Sequence, residues 1–165
     1  MDQQHINERV GEYFCRQNFN CATTTLLILA EHTGIDLSRQ VLDAAVGIHG
    51  AGGYGAQCGL VEGTLMFLGI LGRERRMPDK HIIEHCNRYG ARFEATFASL
   101  LCHELRPEGF AEDQPPHLCL GLTCRSIAFS VDFINQILKS SDNQPELRES
   151  EPSSPPISAT TGGVI

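Results

Sequence analysis

The chain has 165 residues, of which 41% are apolar, and a formal net charge of −7. This length fits one domain with a short tail, and the lack of a basic patch argues against nucleic acid or an anionic membrane as a partner. The N-terminus has no apolar run of the signal-peptide kind, and the longest apolar run, residues 60–71, is too short to span a bilayer. We therefore expect a cytoplasmic protein that is not embedded in a membrane.

Apolar residues recur at helical spacing along most of the chain, and no stretch of useful length alternates as a β-strand does. The predicted fold is all-α, a compact single-domain bundle of five to seven helices with short connections. Residues 1–140 form this domain, and the polar residues 141–165 are predicted to be a disordered tail because they lack a core-forming face. The predicted helices cover residues 3–17, 21–32, 38–48, 58–71, 79–104 and 121–139.

The second predicted helix has clear signals at both ends. Asn20 is a good N-cap, because its side chain can accept a hydrogen bond from the first turn. Gly34 follows the last apolar residue as a C-terminal cap would. Cys21 is therefore predicted to lie at the first position of a helix.

The densest glycine run, residues 47–72, holds nine of the sixteen glycines. Such density indicates positive φ angles or close approach of backbones. The run becomes apolar at the fourth helix, where Gly59 and Gly63 would let another helix pack closely. Cys58 lies at the start of that helix. Unpaired N–H groups and the positive end of the helix dipole favour a thiolate there.

Seven cysteines are many for a chain of this size. Disulfide frameworks are rare in a reducing cytosol, and an odd number cannot pair completely, so metal binding or thiol redox chemistry is favoured. Cys86 lies within the apolar stripe of the fifth helix, where a core filler is the favoured interpretation. Cys102 is predicted near the end of that helix. Cys15, Cys119 and Cys124 complete the set, and no C-x-x-C-H motif for covalent haem is present.

Four motifs follow one another in a recognisable order. They are FNCA at 19–22, CGLVEG at 58–63, LCHEL at 101–105, and a late cysteine before an apolar helix. Their order and spacing resemble the C_GCAxxG_C_C family, whose members are described as redox-active proteins of about this size with four characteristic cysteines. The resemblance covers residues 13 to 138. It implies electron transfer or thiol chemistry without naming a substrate.

The resemblance implies which cysteines form the site. Cys124 is preferred to Cys119 for the last position, because the sequence RSIAFSVDFI that follows it resembles the closing helix of the family. His49 stands where the family has an aromatic residue and could add a ligand or a proton donor. The cysteines carried over from the family pattern are Cys21, Cys58, Cys102 and Cys124.

The leading hypothesis is that these four cysteines converge and bind an iron–sulfur cluster, of the [2Fe–2S] type, or zinc, for electron transfer or redox sensing. A second hypothesis is a metal-free dithiol, with Cys58 as the low-pKa attacking thiol and Cys21 or Cys102 as its resolving partner. A third is a non-catalytic accessory module of a transporter. We expect a redox partner protein, and the sequence leaves open a homodimer.

Overall fold

The computed structural model describes residues 1–106 and 117–142. The predicted all-α fold is confirmed, since helices fill most of the described residues and no strand longer than an isolated bridge occurs among them. Most of the connection between the last two predicted helices and all but the start of the predicted tail lie outside the described residues. The helices are α1 Gln3–Val10, α2 Cys21–Thr33, α3 Arg39–Ala44, α4 Gly50–Gly53, α5 Gly59–Glu74, α6 Asp79–Phe97, α7 Cys102–Leu105 and α8 Leu120–Asp142.

Two predicted helices change geometry before their predicted ends. The first helix is α-helical only to Val10 and continues as a π-helical segment, Gly11–Arg16. The third ends at Ala44 and tightens into a 3₁₀ turn, Ala45–Gly47. Helix termini often change pitch in this way, because the last carbonyls lack partners along an α-helix.

Both predicted caps of α2 are confirmed. The Asn20 side chain accepts a hydrogen bond from the Thr23 N–H at 2.8 Å, and its amide nitrogen donates to the Ala45 carbonyl at 2.9 Å. Gly34 has φ 71°, and its N–H donates to the Ala30 carbonyl. The start of α2 is therefore fixed both to its own first turn and to the neighbouring 3₁₀ turn.

Helices α2 and α5 pack through the two glycines that the sequence indicated. A Cβ atom on Gly63 would lie 2.7 Å from the Ala22 carbonyl oxygen. A Cβ atom on Gly59 would lie 2.5 Å from the Cys21 sulfur and 2.5 Å from the Ile48 carbonyl oxygen. Only glycine lets the backbones and the Cys21 sulfur approach this closely.

Helices α6 and α8 pack through aromatic rings. Tyr89 and Phe93 of α6 meet Phe129 and Phe133 of α8, with ring centroids 5.3 to 6.0 Å apart. Tyr89, Phe93 and Phe133 are completely buried. Tilted and edge-on rings at these distances supply much of the apolar area that stabilises the bundle.

Buried hydroxyl groups tie α8 to both α5 and α6. The Tyr89 hydroxyl lies 2.8 Å from the Ser130 Oγ, and the Thr64 Oγ1 lies 3.0 Å from the same atom. Burial raises the pKa of Tyr89 to about 12, so the phenol stays protonated. The Ser130 and Thr64 hydroxyl oxygens also lie 2.9 Å from carbonyl oxygens one turn earlier on their own helices.

The predicted fifth helix, 79–104, is wrong at its C-terminal end. Helix α6 ends at Phe97, because Ala98 adopts a left-handed conformation with φ 72°. The Ser99 Oγ then accepts a hydrogen bond from the Leu101 N–H at 2.9 Å. Cys102 therefore does not end a long helix but begins the separate short helix α7.

The described helices contain no stretch that is long and apolar enough to cross a membrane. This finding agrees with the sequence, in which the longest apolar run is interrupted by Glu62. Most of that run lies in α5, whose buried face packs against α2 and α6.

Candidate functional site

Two short extended segments, one before α5 and one before α7, pair in an antiparallel manner, with Gln57 opposite Leu101. The Cys58 N–H donates across the pair at 2.9 Å, and the Cys102 N–H donates back at 2.6 Å. Alternate residues of paired extended segments point to opposite faces. This register therefore puts Cys58 and Cys102 on the same face, as diagonal neighbours.

His103 links the segment before α5 to α7 by hydrogen bonds. Its backbone N–H and its Nδ1 both bond to the Gly55 carbonyl, at 2.9 and 2.7 Å. Because a carbonyl oxygen only accepts, Nδ1 carries the hydrogen and Nε2 faces Glu104, 3.8 Å away. Gly55 has φ 92°, and a Cβ there would lie 3.2 Å from the His103 Cβ. Glycine is needed at position 55 for both reasons.

The thiols of Cys58 and Cys102 hydrogen-bond to each other within the protein, where the two residues are only 3% and 5% exposed. The bond from Cys58 lowers the pKa of Cys102 to about 7, despite burial, and the charges of Arg106 and His103 act in the same direction. The same bond, together with burial, raises the pKa of Cys58. The shared hydrogen bond therefore acts in opposite directions on the two thiols, lowering the pKa of Cys102 and raising that of Cys58.

The prediction that Cys58 is the low-pKa thiol is wrong for this reason. Its helix-start position does act as expected, since the backbone N–H of Leu60 lowers its pKa. The hydrogen bond with Cys102, burial and the charge of Cys21 act in the opposite direction and outweigh that contribution.

Cys21 is the third thiol of this region. Its sulfur lies against Gly59, the residue that follows Cys58. Burial, together with the charges of Cys102 and Cys119, raises the pKa of Cys21 to about 12. Cys21 is thus a protonated thiol beside the Cys58–Cys102 pair.

The two cysteines considered for the last position of the predicted site, Cys119 and Cys124, have different surroundings. Cys119 acts electrostatically on Cys21. Cys124 has a pKa raised by burial and by the charge of a different residue, Cys15. The reason is the start of α8, which begins at Leu120 and places Cys124 inside the helix.

Four of the seven cysteines lie at a helix start, and the sequence analysis recognised this position for only two of them. Each lies at a helix start, either as the first residue or as the residue directly before it. A search for cysteines at predicted helix starts would have selected Cys119 over Cys124. The four are Cys21 at α2, Cys58 at α5, Cys102 at α7 and Cys119 at α8.

The predicted metal or iron–sulfur site finds no support in the ligand geometry. Within residues 1–106 and 117–142, no group of three or more His, Cys, Asp or Glu side chains is arranged to hold a metal ion. Cys58 and Cys102 form a hydrogen bond with each other as free thiols. Cys124 is close enough to Cys15 for the charge of Cys15 to raise the pKa of Cys124. His49 bonds within its own turn, with Nδ1 3.2 Å from the Val46 carbonyl. As arranged here, these side chains do not fit a four-thiolate centre.

Cys86 occupies the place that the sequence indicated. It is half-buried on α6 and packs against the hydrophobic core. Burial alone raises its pKa. Such an environment is typical of an inert packing cysteine and makes Cys86 a useful control for the four thiols at helix starts.

Fold and site together define a small all-α protein with a buried pair of neighbouring cysteines, Cys58 and Cys102, at two helix starts. The family model described as "Putative redox-active protein (C_GCAxxG_C_C)" matches residues 19–133. The chain belongs to this family, which confirms the resemblance inferred from the four motifs. No curated protein and no solved structure matches the chain.

Proposed function

We propose that this protein is a thiol–disulfide redox protein whose reactive pair is Cys58 and Cys102. The observation that carries the proposal is the antiparallel pairing of the segments before α5 and α7, which places the two cysteines on one face as buried neighbours, where a hydrogen bond between the thiols lowers the pKa of Cys102. Thiolates, not thiols, are the nucleophiles of disulfide exchange, and attack is most efficient when the pKa lies near the ambient pH. Membership of a redox-active family supports the same class of chemistry.

The pair is suited to the two steps of disulfide exchange. The Cys102 thiolate attacks a disulfide presented to it, one sulfur of that disulfide leaves with the bonding electrons, and a mixed disulfide forms. Cys58 then loses its proton and attacks the Cys102 sulfur. The products are a Cys58–Cys102 disulfide and a reduced dithiol partner. Arg106 and His103 favour the first step, because their charges stabilise the thiolate of Cys102.

An iron–sulfur cluster or a zinc ion bound by the same cysteines is the competing function. Four thiolates in one pocket are the usual ligands of such groups. The ligand geometry described above does not favour it, and no step here is derived through a metal. Iron, zinc and sulfide content of protein purified without oxygen distinguishes the two functions directly.

The test is disulfide mapping by mass spectrometry after exposure to oxidised glutathione. We expect a Cys58–Cys102 disulfide in the wild-type chain and in Cys86→Ser, the matched control. We expect no such disulfide in Cys58→Ser or Cys102→Ser. Stoichiometric iron with labile sulfide, or zinc retained by all four cysteines at helix starts, would contradict the dithiol proposal. The failure of oxidant to link Cys58 to Cys102 in a metal-free protein would also contradict it.

A pH titration of thiolate absorbance in the ultraviolet tests the assignment of roles. Cys102 is a neutral thiol well below pH 7 and a thiolate well above it, so the first thiolate signal appears with a midpoint near the pKa of about 7. Cys58→Ala removes the hydrogen-bond donor and moves this midpoint upward, towards the ordinary cysteine value of about 8.5. Cys102→Ser abolishes the first step. A first step that persists in Cys102→Ser would assign the thiolate to another cysteine.

A further inference from the structure

The segment that leads to Cys58 has few conformational constraints of its own. Positive φ angles, from 53° to 92°, occur at Gly50, Ala51, Gly52, Gly53 and Gly55. Glycine-rich backbone loses much conformational freedom when it becomes ordered. The position of Cys58, which follows this run closely in the chain, therefore depends on bonds to other parts of the protein.

The segment that carries Cys102 also has little support from its own helix. Helix α7, Cys102–Leu105, is only 4 residues long. An isolated helix of that length is unstable in water, because the cost of nucleation exceeds what one turn of hydrogen bonds returns. The Arg106 N–H donates to the Cys102 carbonyl at 2.8 Å, which closes one such turn. Contacts outside α7 must therefore fix the place of Cys102 as well.

Four hydrogen bonds join these two segments. The backbone N–H groups of Cys58 and Cys102 each donate to a carbonyl of the opposite segment, at 2.9 and 2.6 Å. The other two bonds both run from His103 to the Gly55 carbonyl, from the backbone N–H at 2.9 Å and from the Nδ1 at 2.7 Å. Three of these donors are backbone groups, which every residue other than proline supplies. Of the four bonds, only the one from Nδ1 depends on which side chain is present.

His103 binds the residue that ends the glycine turn. The Gly55 N–H donates back to the Gly50 carbonyl at 2.8 Å, so a bond that fixes Gly55 also fixes the turn before it. A Cβ on Gly55 would lie 3.2 Å from the His103 Cβ, so the two residues are in direct contact. His103 therefore acts at the point where the glycine turn enters the extended segment of Cys58.

We propose that His103 is a positioning residue of the Cys58–Cys102 pair, and that the hydrogen bond from its Nδ1 to the Gly55 carbonyl keeps the two thiols next to each other. The proposal rests on the redox function of this pair put forward above. It adds to the redox site a side chain whose identity matters, although the two sulfurs undergo all of the chemistry.

This positioning role is separate from the charge of His103. The Nδ1 carries a hydrogen both in the neutral tautomer described above and in the protonated ring, so it can donate to Gly55 in either state. The other ring nitrogen, Nε2, lies 3.8 Å from Glu104 on a side chain that is 60% exposed, where it can take up a proton without breaking the bond to Gly55. A substitution can therefore remove the charge and keep the hydrogen bond.

Two amide substitutions separate position from charge in the full-length chain. Asparagine places an N–H at the same number of bonds from Cβ as the histidine Nδ1, whereas glutamine places it one bond further out. Each variant is equilibrated with mixtures of reduced and oxidised glutathione. Mass spectrometry after acid quenching then gives the equilibrium constant for the Cys58–Cys102 disulfide. This constant measures the effective concentration of one thiol towards the other.

We expect His103→Asn to keep this constant within about twofold of the wild-type value. His103→Gln and His103→Ala should lower it about five- to tenfold, which corresponds to the loss of one hydrogen bond. His5→Ala is the matched control, because the His5 side chain is similarly exposed, at 52%, but lies on α1. It should leave the constant unchanged.

A second pair of variants changes the residue that accepts the bond. Gly55→Ala and Gly53→Ala both put a Cβ on a residue with positive φ, 92° and 88°. Only the Cβ at position 55 meets His103, whereas the one at position 53 meets nothing within 4 Å. We therefore expect Gly55→Ala to lower the constant by more than Gly53→Ala does. Equal effects would mean that backbone strain, and not the contact with His103, sets the constant.

The outcomes separate this proposal from the proposed function. A low constant in His103→Gln together with a near-normal one in His103→Asn supports the positioning role. Equal losses in the two variants would assign the effect to charge, and the absence of any loss would show that the bond has no role. Either result overturns the positioning role and leaves the proposed function standing. A wild-type chain that never forms the Cys58–Cys102 disulfide overturns both.

Discussion

The α2–α5 and α6–α8 interfaces are built from opposite kinds of residue. At the first, Gly59 and Gly63 bring backbone atoms of α5 against Cys21 and Ala22 of α2. At the second, bulky aromatic rings interlock in the core. Cys21 and Cys58 lie at the first interface. The comparison indicates that close backbone approach positions these sulfurs, whereas aromatic burial supplies stability.

The largest loss of stability is expected at the aromatic α6–α8 interface. Phe93→Ala removes a completely buried ring and should lower the free energy of unfolding by about 3–5 kcal/mol, measured by urea denaturation. Ile83→Ala on the same helix is the control, because that side chain is 66% exposed and should change stability by less than about 0.5 kcal/mol. Equal losses from both substitutions would contradict the assignment of stability to the aromatic interface.

The glycine interface should respond with a smaller loss of stability and a change in chemistry. Gly63→Ala puts a Cβ 2.7 Å from the Ala22 carbonyl oxygen, so α2 must move away, at a cost of about 1–3 kcal/mol. Gly69→Ala in the same helix meets nothing within 4 Å and should stabilise by about 0.5–1 kcal/mol through helix propensity. Disulfide mapping should find slower formation of the Cys58–Cys102 disulfide in Gly63→Ala alone. Unchanged stability and exchange in Gly63→Ala would show that the close packing has no role in positioning the thiols.

The smallest loss of stability is expected from the removal of one buried hydroxyl group. Tyr89→Phe keeps the ring but removes the partner of the Ser130 Oγ, and should lower the free energy of unfolding by about 1–2 kcal/mol. Tyr54→Phe is the matched control, because Tyr54 is 89% exposed. The pH midpoint of the Cys102 thiolate should stay the same in both variants. A shift in that midpoint would mean that the aromatic half of the bundle also tunes the thiols.

Local signals in the sequence were sufficient for several elements. Asn20 and Gly34 were recognisable as caps because capping depends on residues within one turn. The spacing of Gly59 and Gly63 indicated close helix packing for a similarly local reason. The end of α6 gave no such signal, because Ala98 is an ordinary helix former that the tertiary structure holds at φ 72°. The pairing of the segments before α5 and α7 overrides the helix propensity of Ala98.

The sequence by itself determined the all-α class and the family, because those depend on periodicity and motif order. Only the tertiary structure decided that Cys58 and Cys102 lie side by side and that their pKa values shift in opposite directions. A thiol's pKa depends on burial, on hydrogen bonds and on charges brought from distant parts of the chain. Cys58 and Cys102 are far apart in sequence, and their hydrogen bond exists only once α5 and α7 have come together.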